Sequence, residues 1–526
     1  MRTSALSPLS WLDDPPPDRG LWVADSGDGW DFTSYAALAG VARQVAAGII
    51  AGGTPAGAVV TIVERPGVPF AAALYGTMLA GCVPSPSAPP VAFQDVRQYA
   101  QRLTTIADAA GAQLVVVSQR LMASMADVAE SRPIATVESL RERAGTRWHR
   151  APADLALVQF TSGSTGWPKP VRVPYDVLSA QLAAIRDWLR MTPGDPTASW
   201  LPPHHDMGLV GCLLTPVAVG ADLWLMRPEQ FLRRPLRFLR RFAEGARLTA
   251  MPGFGLSQLL AKVRPEDLAG LDFSGWRAAI VGAERLSPAA FEQFHRLLAA
   301  HGFRREALLP AYGLAEATLA VTGLPLDVGY TVIRAAPRSL TPGATVVARP
   351  GGTELMGCGP PLGGAVVSVR DLAGRELPPD TVGEIFVEGA SVTAGRALAT
   401  GDAGFVHDGQ LYVLGRLGDG MKIRGRTVFA EDLEMALNAT GGPMRVAVLL
   451  GEADGVPTAV ALFEQARPEW LELARRTLRR QTEGAVVRLL DGPRGAIART
   501  SSGKPRRRHL WERFLAGNLG SVVDHT

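Results

Sequence analysis

The sequence has 526 residues, of which 47% are apolar and 20% are charged, and its 54 basic and 50 acidic side chains leave a net charge of +4. This balance is typical of a globular protein with a large core, and it argues against a strongly basic nucleic-acid-binding protein. The three cysteines, Cys82, Cys212 and Cys358, are far apart and fit neither a metal motif nor a disulfide framework, so a cytoplasmic environment is expected.

Strand-like and helix-like runs alternate over the first 330 residues, which predicts an α/β fold with a parallel sheet. The run VPFAAALYGTMLAGCV, 68–83, is too short and too rich in small residues for a membrane span, so it predicts a buried helix and no membrane insertion. The other predicted helices lie at 93–111, 176–191 and 235–246, and the predicted strands at 57–66, 113–118, 155–160 and 277–284.

The pattern changes between about 340 and 415, where short strand-like runs alternate with turns that contain Gly and Asp. A small β subdomain is therefore expected there. The Gly-rich stretch GRLGDG, 415–420, is a candidate hinge, and an α+β segment follows it. These features predict a large N-terminal domain over 1–415 and a small α+β C-terminal domain over 416–526.

The stretch FTSGSTGWPKP, 160–170, places small residues between a predicted strand and a lysine. Such residues expose backbone N–H groups and let a polyphosphate approach closely, although a plain Gly/Ser surface loop has the same composition. The stretch lacks the common P-loop spacing. The chain has 50 arginines and only four lysines, yet Lys169 lies in this stretch and Lys504 lies in RTSSGKPRRR, 499–508. Because lysine is so scarce in this chain, its presence in these two stretches favours a function for both lysines.

Further unusual stretches follow in order, and each has an ordinary explanation when taken alone. The two histidines of WLPPHHDMGLVG, 200–211, could be a buried polar pair; Glu316 could cap a helix; Asp402 could be a turn residue. The remaining stretches are VGAERLS at 281–287, LLPAYGLAEATLAVTG at 308–323, TGDAGF at 400–405 and GRLGDGMKIRGRTVFAEDLE at 415–434.

Taken together and in this order, these stretches resemble the adenylate-forming superfamily of acyl-CoA synthetases, nonribosomal adenylation domains, luciferases and fatty acyl-AMP ligases. FTSGSTGWPK resembles its phosphate loop, and AYGLAEAT resembles its adenine and magnesium motif. HDMGL, the region 271–287 and the ending SSGKPRRRHLWERFLAG are similar to the fatty acyl-AMP ligase branch.

The resemblance implies that ATP and Mg²⁺ activate a carboxylic acid, expected to be a fatty acid, as acyl-AMP with release of pyrophosphate. The acyl group would then pass to the phosphopantetheine thiol of an acyl carrier protein. Two alternatives remain: a fatty acyl-CoA ligase, and a non-catalytic protein that binds acyl-adenylates. No nucleic acid is expected as a partner.

The resemblance also assigns roles to residues. Lys504 would bridge the carboxylate and the α-phosphate, His205 would lie near the acyl entrance, and Glu316 would bind Mg²⁺. Asp402 and Arg416 would bind the ribose. The phosphates are assigned to Thr161, Ser162, Gly163, Ser164, Thr165, Gly166 and Lys169, and the adenine pocket to Gly282, Ala283, Glu284, Tyr312 and Gly313, with Tyr312 stacking on the ring.

Three departures from the superfamily's pattern concern the phosphate loop, the hinge and the acceptor. Pro170 replaces the usual Gly after the loop lysine and removes a backbone donor. The resemblance implies that the small C-terminal domain is mobile and rotates about the hinge GRLGDG between the two half-reactions. Gly418 replaces the usual Asp or Lys in this hinge and permits more backbone states. The segment 389–402 is short, and the insertion that disfavours CoA in acyl-AMP ligases is not found, so the sequence leaves the thiol acceptor open.

Overall fold

The computed structural model describes residues 6–90, 95–161, 169–393, 395, 397–423, 426–441, 444–482, 484–500 and 503–525. The predicted loop residues Ser162, Gly163, Ser164, Thr165 and Gly166 lie outside this part of the chain. In the described ranges, every helix is too short or too polar to span a bilayer.

The strands are mostly short, and they alternate with helices until the β-rich segment near residue 330. They are β1 (Gly20–Ala24), β2 (Trp30–Ser34), β3 (Val59–Val63), β4 (Val83–Pro86), β5 (Ala112–Val117), β6 (Ile134–Ala135), β7 (Leu155–Thr161), β8 (Lys169–Pro174), β9 (Thr197–Ser199), β10 (Leu223–Leu225), β11 (Leu248–Pro252), β12 (Ala278–Gly282), β13 (Leu308–Gly313), β14 (Ala320–Gly323), β15 (Val332–Ala335), β16 (Thr353–Met356), β17 (Val366–Arg370), β18 (Gly383–Glu388), β19 (Ala397–His407), β20 (Gln410–Arg416), β21 (Gly420–Ile423), β22 (Arg426–Phe429), β23 (Val446–Ala453), β24 (Val456–Glu464), β25 (Val486–Gly492) and β26 (Val523–Asp524).

The helices include the predicted ones, with ends shifted by a few residues. They are α1 (Tyr35–Ala51), α2 (Val68–Leu79), α3 (Val96–Ala110), α4 (Gln119–Met122), α5 (Ala126–Ala129), α6 (Val137–Glu142), α7 (Tyr175–Trp188), α8 (Thr215–Val219), α9 (Pro228–Arg233), α10 (Pro235–Ala243), α11 (Gly253–Lys262), α12 (Pro288–Ala299), α13 (Ala430–Gly441), α14 (Pro468–Gln481) and α15 (Arg507–Leu515). A π-helix spans Met207–Leu214, and 3₁₀ turns span Ser10–Leu12, Pro265–Leu268, Arg305–Ala307, Ala315–Ala317, Pro337–Ser339 and Leu417–Asp419.

Two sheets with parallel strands organise the first 330 residues. The larger has the order β14-β13-β12-β11-β9-β10-β1-β2, and its central strands are parallel, whereas β14 and β2 close its edges in the antiparallel direction. The smaller, β4-β3-β5-β6, is entirely parallel. All five residues of β3 are buried, as expected for a strand covered on both faces. The predicted parallel α/β arrangement is therefore confirmed, with antiparallel edges that the sequence did not indicate.

The apolar segment 68–83 forms a buried helix, as expected. Its residues 70–79 are all buried in α2, which packs against α1. Tyr35 of α1 and Tyr75 of α2 both contact the ring of Trp11, with centroid separations of 5.5 and 4.9 Å. Burial of three aromatic side chains at one point contributes several kcal/mol of hydrophobic stabilisation, roughly 1.5–3 kcal/mol each. These contacts join the N-terminal segment to the main core.

The predicted β subdomain is formed by antiparallel strands in the order β17-β18-β19-β20, next to the pair β15-β16. After the 3₁₀ turn Leu417–Asp419, the hairpin β21-β22 leads to a last sheet, β23-β24-β25-β26, with its own apolar clusters. The proposed boundary between residues 415 and 416 falls at the end of β20, and it stays a prediction. Arg285 and Asp432 contact each other across this boundary, 3.0 Å apart.

Candidate active site

A carboxylate held between a phenol and a guanidinium lies at the centre of the candidate site. Tyr312 donates its hydroxyl to Asp402 Oδ2 at 2.6 Å, and Arg416 Nε lies 3.0 Å from Asp402 Oδ1. Asp402 is only 8% exposed. Burial and the carboxylate together raise the pKa of Tyr312 well above its usual range, so the phenol stays a donor. The sheet brings Asp402 and Arg416 together because they are cross-strand partners in β19 and β20.

An irregular stretch of β19 just before Asp402 fixes the direction of its carboxylate. Gly401 has φ +74°, a conformation that favours glycine, and its N–H donates to Glu384 Oε1 at 2.9 Å. Thr400 donates its hydroxyl to the Ile385 carbonyl at 2.8 Å and accepts from the N–H of Asp402 at 3.1 Å. The sequence TGD therefore forms an irregular part of β19 that several hydrogen bonds hold in place. Glu384 is a positioning residue that the motif did not reveal.

Glu316 lies in the 3₁₀ turn that follows β13, and its backbone is anchored on both sides. The N–H and hydroxyl of Thr393 donate to the Glu316 carbonyl at 3.0 and 2.9 Å. Thr318 adopts φ +69° and is fully buried, which is unusual for a β-branched residue, and its hydroxyl donates to the Ser391 carbonyl at 2.8 Å. With its amide nitrogen turned toward two backbone carbonyls, the buried Gln181 donates to Ala317 at 3.0 Å and to Ala320 at 3.1 Å.

The side chain of Glu316 is left available by this anchoring. Among the described residues it forms no ion pair. Burial lowers the pKa of Arg416, but Asp402, Tyr312 and Glu316 outweigh this effect, and the pKa is raised. Glu316 is thus close to Arg416. The turn also lies beside the β7-β8 hairpin, since Gln159 donates to the Thr318 carbonyl at 3.4 Å.

This hairpin carries the predicted phosphate loop between its strands. Thr161 ends β7 and Lys169 begins β8, and the two residues are register partners. The strand expected at 155–160 is confirmed, whereas β8 was not expected, and Lys169 is a strand residue rather than part of a loop. Its side chain is exposed. The structure places the hairpin next to the Glu316 turn, but it describes no contact from Lys169 to that turn.

The predicted adenine pocket residues lie at the ends of two neighbouring parallel strands. Gly282 ends β12 and Gly313 ends β13; a side chain at Gly282 would lie 2.7 Å from the Ala311 carbonyl, so these strand ends require small residues. Ala283 has φ +69°, and Glu284 next to it accepts from the backbone N–H of Phe254 at 2.5 Å.

Lys504, an exposed residue of the C-terminal segment, acts on this pocket through its charge. Burial raises the pKa of Glu284, while the hydrogen bond from the Phe254 N–H and the positive charge of Lys504 oppose this rise. Burial also raises the pKa of Glu431, and the positive charge of Lys504 again opposes this rise. The ammonium is therefore near both carboxylates. Its backbone is fixed by Thr500, whose N–H donates to the Lys504 carbonyl at 2.8 Å.

An arginine three residues further on ties this segment to the rest of the C-terminal part. Burial opposes the charged form of Arg507, but Glu434, Glu431 and Asp419 outweigh it and raise the pKa of its guanidinium. The closest atoms of these carboxylates lie 2.8, 3.5 and 3.1 Å from Arg507. Glu431 and Glu434 lie in α13, and Asp419 lies in the candidate hinge. The contacts of Arg507 therefore connect the segment that carries Lys504 with this helix and with the hinge.

The histidine pair precedes the π-helix, a rare conformation that is frequent at functional sites. The rings of His204 and His205 lie 4.5 Å apart. Burial and the neighbouring ring lower the pKa of His204 well below its usual value, so this histidine is neutral at pH 7. The His205 carbonyl accepts from Leu209, 2.7 Å away, and a side chain at Gly208 would lie 2.2 Å from the Pro202 carbonyl.

The whole chain is similar to known ligases. The family described as AMP-binding enzyme matches residues 14–395. The medium-chain-fatty-acid–[acyl-carrier-protein] ligase JamA of Moorena producens is 30% identical over 86% of this chain and 85% of its own length. A putative acyl-CoA synthetase of Caulobacter vibrioides is 30% identical over 92% of this chain and 91% of its own.

Solved structures extend this similarity to the fold. A structure from a study of fatty acyl-adenylate ligases of E. coli and L. pneumophila superposes with a TM-score of 0.89 at 25% identity, over 98% of this chain and 99% of its own. The L. pneumophila fatty acyl-adenylate ligase in complex with acyl adenylate and pyrophosphate has a TM-score of 0.75 at 26% identity, over 97% and 96%.

These matches confirm the predicted α/β fold class and the resemblance to the adenylate-forming superfamily and its fatty acyl-AMP ligase branch. The matched residues include the anchored turns of Glu316 and Glu284. The chain belongs to the family of AMP-binding enzymes.

Proposed function

We propose that this protein activates a fatty acid with ATP as acyl-AMP and then transfers the acyl group to the phosphopantetheine thiol of an acyl carrier protein. The observation that carries the proposal is the buried Asp402 carboxylate, held by Tyr312 and Arg416 beside Glu316 and joined to the strand ends that carry Glu284. This arrangement offers acceptors for a ribose, a flat pocket wall for a purine and a carboxylate for a cation.

The ribose would bind to Asp402. An ionised carboxylate has about four acceptor positions, and Tyr312 and Arg416 use only part of them. The two ribose hydroxyls can therefore donate to the same group while the existing contacts remain. The ring of Tyr312 lies at the end of β13, next to the ends of β12 and β14, where it would stack on adenine.

The first half-reaction needs charge stabilisation more than covalent help. A carboxylate oxygen of the fatty acid attacks the α-phosphorus, the bond to the bridging oxygen breaks, and pyrophosphate leaves. Negative charge crowds on the α-phosphate during this exchange, so a positioned cation lowers the barrier. Lys504 would supply it, and its position near Glu284 supports this role because Glu284 lines the proposed nucleotide pocket.

Glu316 fits the magnesium site that ATP requires. Mg²⁺ prefers oxygen ligands and is usually held by one or two carboxylates together with phosphate oxygens. The ion would neutralise phosphate charge, while the anchored turn would keep the Glu316 carboxylate at the entrance beside the β7-β8 hairpin.

The fatty acid would enter near His205 and the π-helix. Leu209, Val210 and Leu213 of this helix are buried, so the segment after the histidines is surrounded by apolar side chains. A neutral His204 beside it suits the contact with an apolar chain. The names of several related proteins, which describe fatty-acid ligases, support this substrate class.

An acyl carrier protein is the proposed acceptor, supported by the similarity to JamA, whose name describes a ligase that acts on an acyl carrier protein. CoA is the second candidate, favoured by the similarity to the putative acyl-CoA synthetase. A competition reaction with ATP, Mg²⁺, a fatty acid, CoA and a holo-acyl carrier protein separates the two when products are identified by mass spectrometry. The proposal predicts that the acylated carrier protein is the main product and that acyl-AMP is the intermediate. Acyl-CoA as the main product would contradict it.

A further inference from the structure

Four arginines from three segments gather at one edge of the two main sheets. Arg65 follows β3, Arg120 lies in α4 just after β5, Arg227 follows β10, and Arg233 ends α9. We call them the arginine cluster. Arg65, Arg120 and Arg233 are exposed and Arg227 is partly buried. Arg65, Arg120 and Arg227 each follow the carboxyl end of a strand, and Arg233 lies at the far end of the helix that Arg227 precedes.

Backbone contacts show that these segments are neighbours. Ser118, just before α4, donates its N–H to the carbonyl of Val63 at the end of β3, 3.1 Å away. A side chain at Gly67 would lie 3.7 Å from a methyl of Val23, so the loop after β3 lies against β1. Val23 is in turn the register partner of Leu225, two residues before the cluster's third arginine.

The cluster is poorly neutralised. Partial burial lowers the pKa of Arg227, and the charges of Arg65, Arg120 and Arg233 act in the same direction, with only Glu229 opposing them. Within the described residues, none of the four cluster arginines forms an ion pair. Neighbouring arginines of α10 differ, since several of them pair with carboxylates. Four adjacent cations without ionic partners form a surface that favours an anionic ligand.

The cluster lies on the rim of the candidate active site. Leu232, next to Arg233, accepts at its carbonyl from Gln258 of α11 at 3.0 Å. The first turn of α11 contains Phe254, whose N–H donates to Glu284 of the proposed nucleotide pocket. Leu232 and Phe254 are 40% and 47% exposed. Two partly exposed apolar side chains therefore lie on the segments that connect the cluster with the site.

We propose that the arginine cluster, with Leu232 and Phe254, is the docking surface for an acidic acyl carrier protein. The inference rests on the proposed function, because it assigns the partner of the second half-reaction to a place on the molecule. Its elements are those of a protein interface: exposed apolar side chains beside arginines that can pair with carboxylates in a bidentate manner.

A protein partner fits this surface better than the phosphates of CoA. Arg227 and Arg233 stand about 9 Å apart along α9, at 1.5 Å per residue, and the other two arginines come from different loops. A phosphate group is bound by donors that converge on one point, whereas carboxylates distributed over the surface of a protein match positive charges that are spread over several segments. The exposed Leu232 and Phe254 have no counterpart on a phosphate.

The test uses two double variants with the same change in net charge. Arg65→Glu with Arg120→Glu alters the cluster, and Arg240→Glu with Arg264→Glu alters two exposed arginines on α10 and beyond the far end of α11. The full-length proteins are assayed for acyl-AMP formation, and for acyl transfer to the holo form of a bacterial fatty-acid acyl carrier protein, to CoA and to pantetheine. Formation of acyl-AMP shows that each variant is folded.

The cluster variant is expected to raise the KM for the carrier protein by about tenfold or more at low salt, since steering by several charges changes association by at least that factor. Its acyl-AMP formation and its KM for pantetheine should not change, and the control variant should match the wild type. Because salt screens exposed charges, the difference between the variants should shrink above about 0.2 M salt.

Three results would overturn the inference. The first is an unchanged KM for the carrier protein in the cluster variant, and the second is an equal rise in the control variant. The third is a rise for CoA alone, which would mean that the arginines bind its phosphates. A wild-type protein that forms acyl-AMP but transfers to no carrier protein would instead contradict the proposed function. The single variant Arg233→Glu gives an independent measurement of the same KM.

Discussion

Replacement of Asp402 by Asn tests the proposed ribose site directly. The substitution keeps the size of the side chain but removes its charge and turns one acceptor oxygen into a donor. In the free protein, the carboxylate accepts from Tyr312 at 2.6 Å and pairs with Arg416 at 3.0 Å. The amide has one oxygen with two acceptor positions instead of about four, so Tyr312, Arg416 and two ribose hydroxyls can no longer all donate to it.

The magnitude follows from the number of charged hydrogen bonds that are lost. A hydrogen bond to a charged group contributes about 1.5–3 kcal/mol, so loss of one or two to the ribose should lower kcat/KM for ATP by roughly 100-fold, or about 3 kcal/mol. The effect on folding should be smaller. Because the Arg416 side chain is 51% exposed, solvent already screens the ion pair, and about 1 kcal/mol of stability should be lost.

The assay is the rate of pyrophosphate release as a function of ATP concentration, with a fatty acid in excess. Asp380→Asn is a matched control, because Asp380 also accepts at 2.6 Å from a nitrogenous side chain, His407, in the same β-rich segment but outside the site. Asp402→Asn should lose activity toward ATP while Asp380→Asn keeps it. Equal kinetics in the two variants would refute the assignment of Asp402.

Three further substitutions probe the cation, the hinge and a buried acid. Lys504→Ala should slow acyl-AMP formation by about 100- to 1,000-fold, the usual effect of removing one stabilising group, and a normal rate would contradict its role. Gly418→Pro should spare acyl-AMP formation and impair acyl transfer, because proline restricts the hinge backbone; equal losses in both steps would oppose a rotating C-terminal domain. Glu64→Gln should stabilise the protein at high pH. Burial raises the pKa of Glu64 to about 7 from 4.5, with Glu138 adding to the shift and Arg65 opposing it, so the folded state holds the proton more tightly. This contribution is complete below pH 4.5 and is lost as the pH rises through 7, and the variant's gain should therefore grow from near zero at pH 4.5 to about 3 kcal/mol at pH 8. Thermal unfolding at both pH values measures it, and a gain independent of pH would disagree with the structure.

The sequence predicted which motifs belong to the site, and the fold explains why several of them meet. Tyr312, Asp402 and Arg416 are separated by up to 104 positions, yet parallel strand ends and a β-ladder bring them into contact. The residues that hold these side chains in position could not be predicted from the sequence. Glu384 and Thr318 act through contacts with residues distant in sequence, and neither has a local pattern that indicates such a role.

Errors in the predicted elements have physical reasons as well. The strand β8, KPVRVP, was not predicted because two prolines and two charged residues weaken its β propensity; it forms by pairing with β7. The antiparallel edges β2 and β14 were also missed, since alternation of strands and helices indicates parallel neighbours but says little about edges. The contact of Arg285 with Asp432 joins segments that no local pattern connects.

The central claim is formation of acyl-AMP, and mass spectrometry of one reaction without any thiol tests it most directly. The mixture contains the full-length protein, ATP, Mg²⁺ and fatty acids of several chain lengths. The proposal predicts acyl-AMP and pyrophosphate in equal amounts, with one chain length preferred. Acyl-AMP that binds when added but never forms from ATP and a fatty acid, under conditions where the protein is folded, would contradict the claim and favour a non-catalytic binding protein.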